Sequence, residues 1–487
     1  MKNGFSELVD NQLIYLLHGE HHKGGYMRNI KQDTYIYKIP DNKAFNDFYL
    51  LVNLAMGSVD YLKNDTLDRI SEGDKSLSKE LRKYFSTSDL SYSEELSLFY
   101  DLYMQSLKKN VRPEVIIIPW MDCDLNCSYC WQHNQRLDSE INASAFKKII
   151  QPSINYFKAS GWHLAPEVNI FGGEPLLDDD MKKGIILELV NELKENHLSC
   201  HFTTSGYHLD KYLDEFYGLG IDGFQITIDG PPEIHNKRRK LKSNEGTFLK
   251  IMSNVKLAIQ YGFNVSIRVN MDMDNVDSID ELLIYFFEEG LINSSNFSVY
   301  FSPVTDRSCV NAACNINKAQ TLDMLVNKIR GLPGESHYSL EFWRGADVVY
   351  KLSQKQTLEL PRFHYCQASY KGQLVFSPDG FIHCCLESVS DNQKSIGTWK
   401  DYFSIDEKKW DQWATPVTAL DECSGCNSRL FCGGGCVFGR LKAKENGSAY
   451  CEKIHEQLEV IFKHYWDLIL INNQRKHYED SVSSTNS

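Results

Sequence analysis

Between Val115 and Pro303 the chain repeats one unit six times, a short apolar run followed by a longer stretch with helical periodicity. The runs are VIIIPW from Val115, VNIF from Val168, SCHFTTSG from Ser199, GFQITID from Gly223, NVSIRVNM from Asn264 and FSVYFSP from Phe297. Continuous apolar runs of this length describe strands covered on both faces, and parallel strands require crossover helices between them. The pattern therefore predicts an α/β fold. Six βα units make an incomplete relative of the eight-stranded barrel, a partial (β/α)6 TIM-like barrel. In such folds ligands sit at the carboxyl ends of the strands, so the loops leaving these runs are where chemistry is expected.

The barrel accounts for less than half of the 487 residues, and single cores stop growing near roughly 250 to 300 residues. Residues 1–110 are polar and Tyr-rich. They carry strand-like TYIYKI and FYLLVNLAMGSVDYL, the second with a turn at Ala55-Met56-Gly57, and then helical KELRKYF and EELSLFYDLYMQSLKK. They are expected to form an N-terminal α+β domain of hairpin and helices. The barrel is placed at 111–330, a bridging segment at 331–360 and a Cys- and Gly-rich domain at 361–470. The last stretch, 471–487, is polar and expected to be a disordered tail.

A formal charge of −13 argues against a nucleic-acid partner, whose phosphates demand a Lys/Arg excess. No export signal and no apolar run of about 18 residues is found, so a cytoplasmic protein without membrane contact is expected. There the fourteen cysteines stay reduced, and ligation of metal becomes their leading explanation.

Three of them form Cys123-x3-Cys127-x2-Cys130 in the loop leaving the first strand. Three thiolates on one short loop hold three irons of a 4Fe–4S cube and leave the fourth open, whereas zinc wants a fourth protein ligand. An open iron suits a ligand with an amine and a carboxylate, such as the methionine end of S-adenosylmethionine. With the aromatic Tyr129 before the third cysteine, the motif resembles the radical S-adenosylmethionine superfamily. That resemblance implies a glycine-rich element after the second strand, and Phe171-Gly172-Gly173-Glu174-Pro175 stands there. By the same resemblance this element holds the methionine amino group. Thr227, in Ile-Thr-Ile-Asp229-Gly230, and Arg268, in the fifth strand, match positions that reach the cofactor. His235-Asn236 resembles a His-Asp element of peptide-modifying members, with Asn in place of Asp.

A second group reads Cys366-x13-Gly380-x4-Cys385, then Cys423-x2-Cys426-x5-Cys432-x3-Cys436, and Cys451. Alone, it also fits a zinc ribbon. Beside the first motif it resembles the SPASM extension of peptide and sulfatase maturases, which implies two auxiliary 4Fe–4S clusters. Cys423, Cys426, Cys432 and Cys451 then bind the outer cluster, and Cys366, Cys385 and Cys436 the inner. The fourth inner ligand stays open between Cys384, Cys309, Cys314 and none.

The resemblance implies reductive cleavage of S-adenosylmethionine to a 5'-deoxyadenosyl radical that abstracts hydrogen from a ribosomally made precursor peptide, giving a thioether or carbon–carbon crosslink. The partners implied are that precursor and a reductant such as flavodoxin or ferredoxin. The N-terminal domain resembles a PqqD-like leader-recognition module. Sulfatase maturation is the alternative, although the Asp its members carry after the Gly-x4-Cys cysteine is Leu386 here, with Glu387 next. Glu387 is taken as the candidate base, beside Asp379 and Tyr370. An iron–sulfur electron carrier or zinc scaffold is the non-enzyme alternative, and it leaves the glycine-rich element without a purpose.

Overall fold

The computed structural model describes residues 33–40, 48–54, 58–63, 65–66, 92–134, 137, 139–305, 317–354, 361–389, 391–448 and 450–485. The Ala55-Met56-Gly57 turn, the KELRKYF helix, Cys309 and Cys314 lie outside them.

All six anticipated strands form. They are β4 (Glu114–Ile117), β5 (Glu167–Ile170), β6 (Cys200–Thr204), β7 (Ile221–Thr227), β8 (Asn264–Met271) and β9 (Phe297–Pro303), after three N-terminal strands, β1 (Thr34–Lys38), β2 (Phe48–Asn53) and β3 (Ser58–Lys63). β4 to β9 run parallel in sequential order. Side chains alternate across the sheet. Val115, Ile117, Val168 and Ile170 point to the helices and join the main core. Ile116 and Ile118 form a second cluster with Met121 and Val375. The helices cover the outer face with apolar residues three and four apart, such as Ile186, Leu189, Val190 and Leu193 of Asp180–Glu195. Each such buried side chain contributes about 1.5–3 kcal/mol. In β5 to β9 many of the positions between are polar, and Glu167, His201, Gln225, Ser266, Tyr300 and Glu341 line a cavity of about 410 Å³ at the amino ends of these strands.

The sheet does not stop at the barrel. On one edge β10 (Tyr338–Ser339), from the bridging segment, pairs parallel with β9. On the other edge β11 (Gln373–Phe376) pairs parallel with β4, matching Gln373 to Glu114 and Phe376 to Ile117. Antiparallel β12 (Phe381–His383), β13 (Gly397–Thr398) and β14 (Ser404–Ile405) complete eleven strands. The cysteine-rich segment thus begins as a continuation of the barrel sheet.

β1, β2 and β3 make a separate antiparallel sheet. Tyr35 and Tyr37 stack on Phe462 with centroids 5.2 and 5.4 Å apart, and the Tyr35 hydroxyl donates to Glu459 at 2.6 Å. Asp33, just before β1, takes two hydrogen bonds from Arg429 at 2.8 and 3.1 Å, and both side chains are buried. This sheet therefore packs against the cysteine-rich segment. Phe462 and Glu459 belong to a last helix, Ile454–Thr485, which corrects the expected tail. Residues 471–485 contain neither Pro nor Gly, so nothing in them stops a helix begun upstream.

Candidate active site

The loop after β4 is fixed from two sides. On one, Asn126 N–H donates to the Lys240 carbonyl at 2.8 Å, Ser128 N–H to that of Arg238 at 3.0 Å and Lys242 N–H to that of Asp124 at 2.9 Å. Leu125 bridges Leu241 in the same antiparallel register. On the other, Gly173 N–H donates to the Trp120 carbonyl at 3.2 Å, Glu174 N–H to that of Asp122 at 2.6 Å and the Trp120 indole to that of Glu174 at 2.8 Å. A Cβ on Gly172 would stand 2.6 Å from the Trp120 oxygen, and one on Gly173 2.0 Å from that of Asp122. Two side-chain-free residues are what let the glycine element lie against the cysteine loop.

The Glu174 carboxylate joins two neighbouring strand ends. It is buried and accepts from Leu176 N–H at 2.9 Å, the Thr204 hydroxyl at 2.5 Å and Ser205 N–H at 2.7 Å, tying the end of β5 to that of β6. Burial holds it above the usual carboxylate range in spite of these bonds. Pro175 follows, buried. Thr227 closes β7 directly beside Arg268 of β8. The Arg268 guanidinium donates to Asn270 Oδ1 at 2.8 Å and the Ser302 hydroxyl at 2.9 Å and lies 5.2 Å from the Phe342 ring.

Tyr129 is buried, and its hydroxyl is the hub of a network that sequence reading missed. It donates to Asp229 and accepts from Arg239 at 2.8 Å and from Asn270 at 3.0 Å. Arg238 lies over its ring at 5.0 Å and pairs with both Asp272 oxygens at 2.9 and 3.0 Å. Consecutive arginines after an IDG strand end were the available signal, but charged residues so rarely lie buried that nothing in the pattern marks them as interior.

His235 is fully buried in the helix Pro232–Arg238. Its Nδ1 accepts from Asp229 N–H at 3.3 Å, and Nε2 meets the Thr247 hydroxyl at 3.0 Å. Asn236 Oδ1 accepts from Thr247 and Phe248 N–H at 2.8 and 3.0 Å. An amide oxygen thus holds the start of the next helix, a task for which an Asp oxygen would also serve. Burial, then Arg239, lowers the His235 pKa to about 3. Against an unfolded value near about 6.5, the neutral ring stabilises the fold above that pH and loses its contribution as pH falls toward the folded value. We expect denaturation midpoints at 25 °C to be flat from pH 8 to 7 and to fall steadily below pH 6.5, with His235→Gln flattening that slope.

In the cysteine-rich segment the thiols gather into two sets, each with its members close to one another. Burial, then the other members, raises Cys432 through Cys423, Cys426 and Cys451, and raises Cys423, to about 11, through Cys426 and Cys451. Burial, then neighbours, likewise raises Cys385 through Cys436, Cys366 and Cys384, and Cys384 through Cys366. Gly433, at φ 72°, brings the sets together, since a Cβ there would stand 2.4 Å from the His364 carbonyl. In the first loop burial raises Cys123 and Cys127, each also pushed up by a fellow loop thiol. Thiolates are the ligands by which 4Fe–4S cubes are held; among the described residues no group of three or more His, Cys, Asp or Glu is arranged to hold a single metal ion. Glu387 sits in the turn Leu386–Ser388 beside Cys385 and helps raise it. Asp379 accepts from the Ser377 hydroxyl at 2.5 Å, and Tyr370 packs between Trp162 and His364.

Residues 117–286 match the sequence profile of the Radical SAM superfamily, and this part of the chain is a radical SAM domain, a class that works with a 4Fe–4S cluster and S-adenosylmethionine. Native anSMEcpe with bound AdoMet superposes with a TM-score of 0.56 at 18% identity, covering 74% of this chain and 99% of that one. Streptococcus suis SuiB bound to precursor peptide SuiA gives 0.53 at 14%, covering 84% and 98%. These likenesses establish the fold. Among curated relatives, a probable GTP 3',8-cyclase of Methanococcus aeolicus is 22% identical over 42% of this chain and 62% of its own. A cysteine-type anaerobic sulfatase-maturating enzyme of Clostridium novyi is 24% identical over 38% and 48%. The chain thus spans about half to three fifths of these relatives. Among the described residues no helix is long and apolar enough to cross a membrane.

Proposed function

We propose that this chain is a peptide maturase of the radical SAM class, holding one 4Fe–4S cluster on Cys123, Cys127 and Cys130 and two more in the cysteine-rich segment. The observation that carries the reading is the gathering of thiols into two sets, Cys423/Cys426/Cys432/Cys451 and Cys366/Cys385/Cys436 with Cys384 beside them, the members of each lying near their fellows. They join the radical SAM loop through the β4–β11 ladder. When bound, the first cluster supplies the electron that cleaves S-adenosylmethionine, and the others accept the electron left on substrate. Gly172 and Gly173 keep backbone close to the cysteine loop, Thr227 and Arg268 offer a hydroxyl and a guanidinium at the adjoining strand ends, and Glu387 takes a substrate proton beside the inner thiols.

A peptide substrate is supported by anSMEcpe with a bound Kp18Cys peptide and by SuiB with SuiA, both near full-length matches in fold. The precursor's residues attach as a thioether or carbon–carbon crosslink in this reading. Oxidation of a single protein side chain, the reaction class of sulfatase maturation, is the second reading, favoured by the C. novyi relative. Anaerobically reconstituted protein is expected to hold about twelve irons, four per cube, and to release 5'-deoxyadenosine with dithionite and S-adenosylmethionine. Mass spectrometry of candidate peptides then separates the two readings. Loss of two hydrogens with a linkage between residues supports the first, and an aldehyde on one residue the second. Zinc without deoxyadenosine would end both.

A further inference from the structure

We propose that Arg239 is a positioning residue that sets the reduction potential of the cluster held by the first cysteine loop, an inference that rests on the reading of Cys123, Cys127 and Cys130 as its ligands. The hydrogen bonds from Asn126 to Lys240 and from Ser128 to Arg238 form an antiparallel register in which Cys127 stands directly opposite Arg239. Residues so opposed have Cβ atoms about 4.5–5.5 Å apart. The Arg239 side chain is buried. One terminal nitrogen is anchored on the Tyr129 hydroxyl at 2.8 Å, and the backbone is held by His235 and Thr247 at 2.7 and 2.6 Å. Its Nε–H is buried and finds no acceptor among the described residues. A guanidinium anchored at one nitrogen, on a residue whose backbone is held at both ends, with an unspent donor near a ligand thiol is arranged for a sulfur or thiolate acceptor.

Charge points the same way. Arg239 is the buried cation that this register sets against the cysteine loop. A cube with three thiolates carries a net negative charge that grows by one when it takes an electron, and no proton is involved. A buried cation at one corner therefore stabilises the reduced form. The pattern recurs in the cysteine-rich segment. There Arg440 Nε is also buried without an acceptor among the described residues, and its charge favours the Cys423 thiolate.

The test is an EPR-monitored dithionite titration of the reconstituted full chain, following the signal that added S-adenosylmethionine perturbs. At the poise where the wild-type cluster is half reduced, Arg239→Gln should cut the ratio of reduced to oxidised cluster about tenfold, or about 59 mV for one electron. Arg239→Lys should recover most of the loss, and Tyr129→Phe, which frees the guanidinium, should cost about threefold. Equal ratios in Arg239→Gln and wild type at full iron content overturn the proposal, as does equal loss of iron from the Gln and Lys variants. If only the Gln variant loses iron, the Tyr129→Phe titration decides, and no shift there overturns it. Absence of deoxyadenosine or of this signal in wild type would instead overturn the cluster reading itself.

Discussion

Replacing Cys123, Cys127 and Cys130 together by Ala is expected to remove about four irons per chain and all release of 5'-deoxyadenosine, while the remaining irons stay. The expectation follows from where the two sets of sulfur ligands sit. The first loop is held by backbone bonds to residues 238–242 and to the glycine element, none of which depends on a cysteine side chain, so the loop keeps its course without a cluster. The other seven ligand candidates lie on a separate stretch, Cys366 at the turn before β11, Cys385 just after β12 and the rest beyond β14. Iron and sulfide analysis paired with chromatography of the nucleoside product checks both halves. A variant that still makes deoxyadenosine would sink the assignment of this loop. One that loses all its irons would show that the three sites assemble as one unit.

Arg429→Met is expected to lower stability by about 3–5 kcal/mol, because it leaves Asp33 buried without its partner. Burial already holds the Asp33 carboxyl above its usual range, with Arg429 pulling it back. The substitution removes both hydrogen bonds that offset that burial. Arg429 also opens the helical turn Arg429–Cys432, between two of the outer thiols, so the outer irons are expected to leave with the N-terminal sheet. Denaturant midpoints and iron content measured together test this. Adding Asp33→Leu should restore most of the lost stability, since a well-packed apolar pair often replaces a buried ion pair without loss. No recovery would mean that the side chain matters for packing rather than charge.

The six barrel strands were legible because β4 writes an uninterrupted apolar run and the others repeat apolar residues at about every second position, and β8 and β9 begin and end where NVSIRVNM and FSVYFSP do. The cysteine and glycine motifs were legible because close backbone approach leaves a compositional mark. The pairing of β11 with β4 was not, since strands more than 250 residues apart in sequence carry no local sign of their partner. Nor was the burial of Arg238, Arg239 and Asp229, whose partners come from β7, β8 and the cysteine loop at once. What the glycine-rich motif left unwritten is that the Glu174 carboxylate also ties two strand ends together through Leu176, Thr204 and Ser205. The C-terminal helix went unread because a polar sequence without Pro or Gly leaves coil and helix equally open until apolar neighbours at its start decide.

The ladder between β4 and β11 has a mechanical consequence. β4 delivers Cys123, and β11 leads through one tight hairpin to Cys384 and Cys385. Any movement that widens the gap between the first cysteine loop and the inner thiols must break backbone hydrogen bonds at the centre of the sheet. Electrons crossing that gap would tunnel over a span fixed by covalent and hydrogen-bonded geometry, insensitive to breathing of the surface.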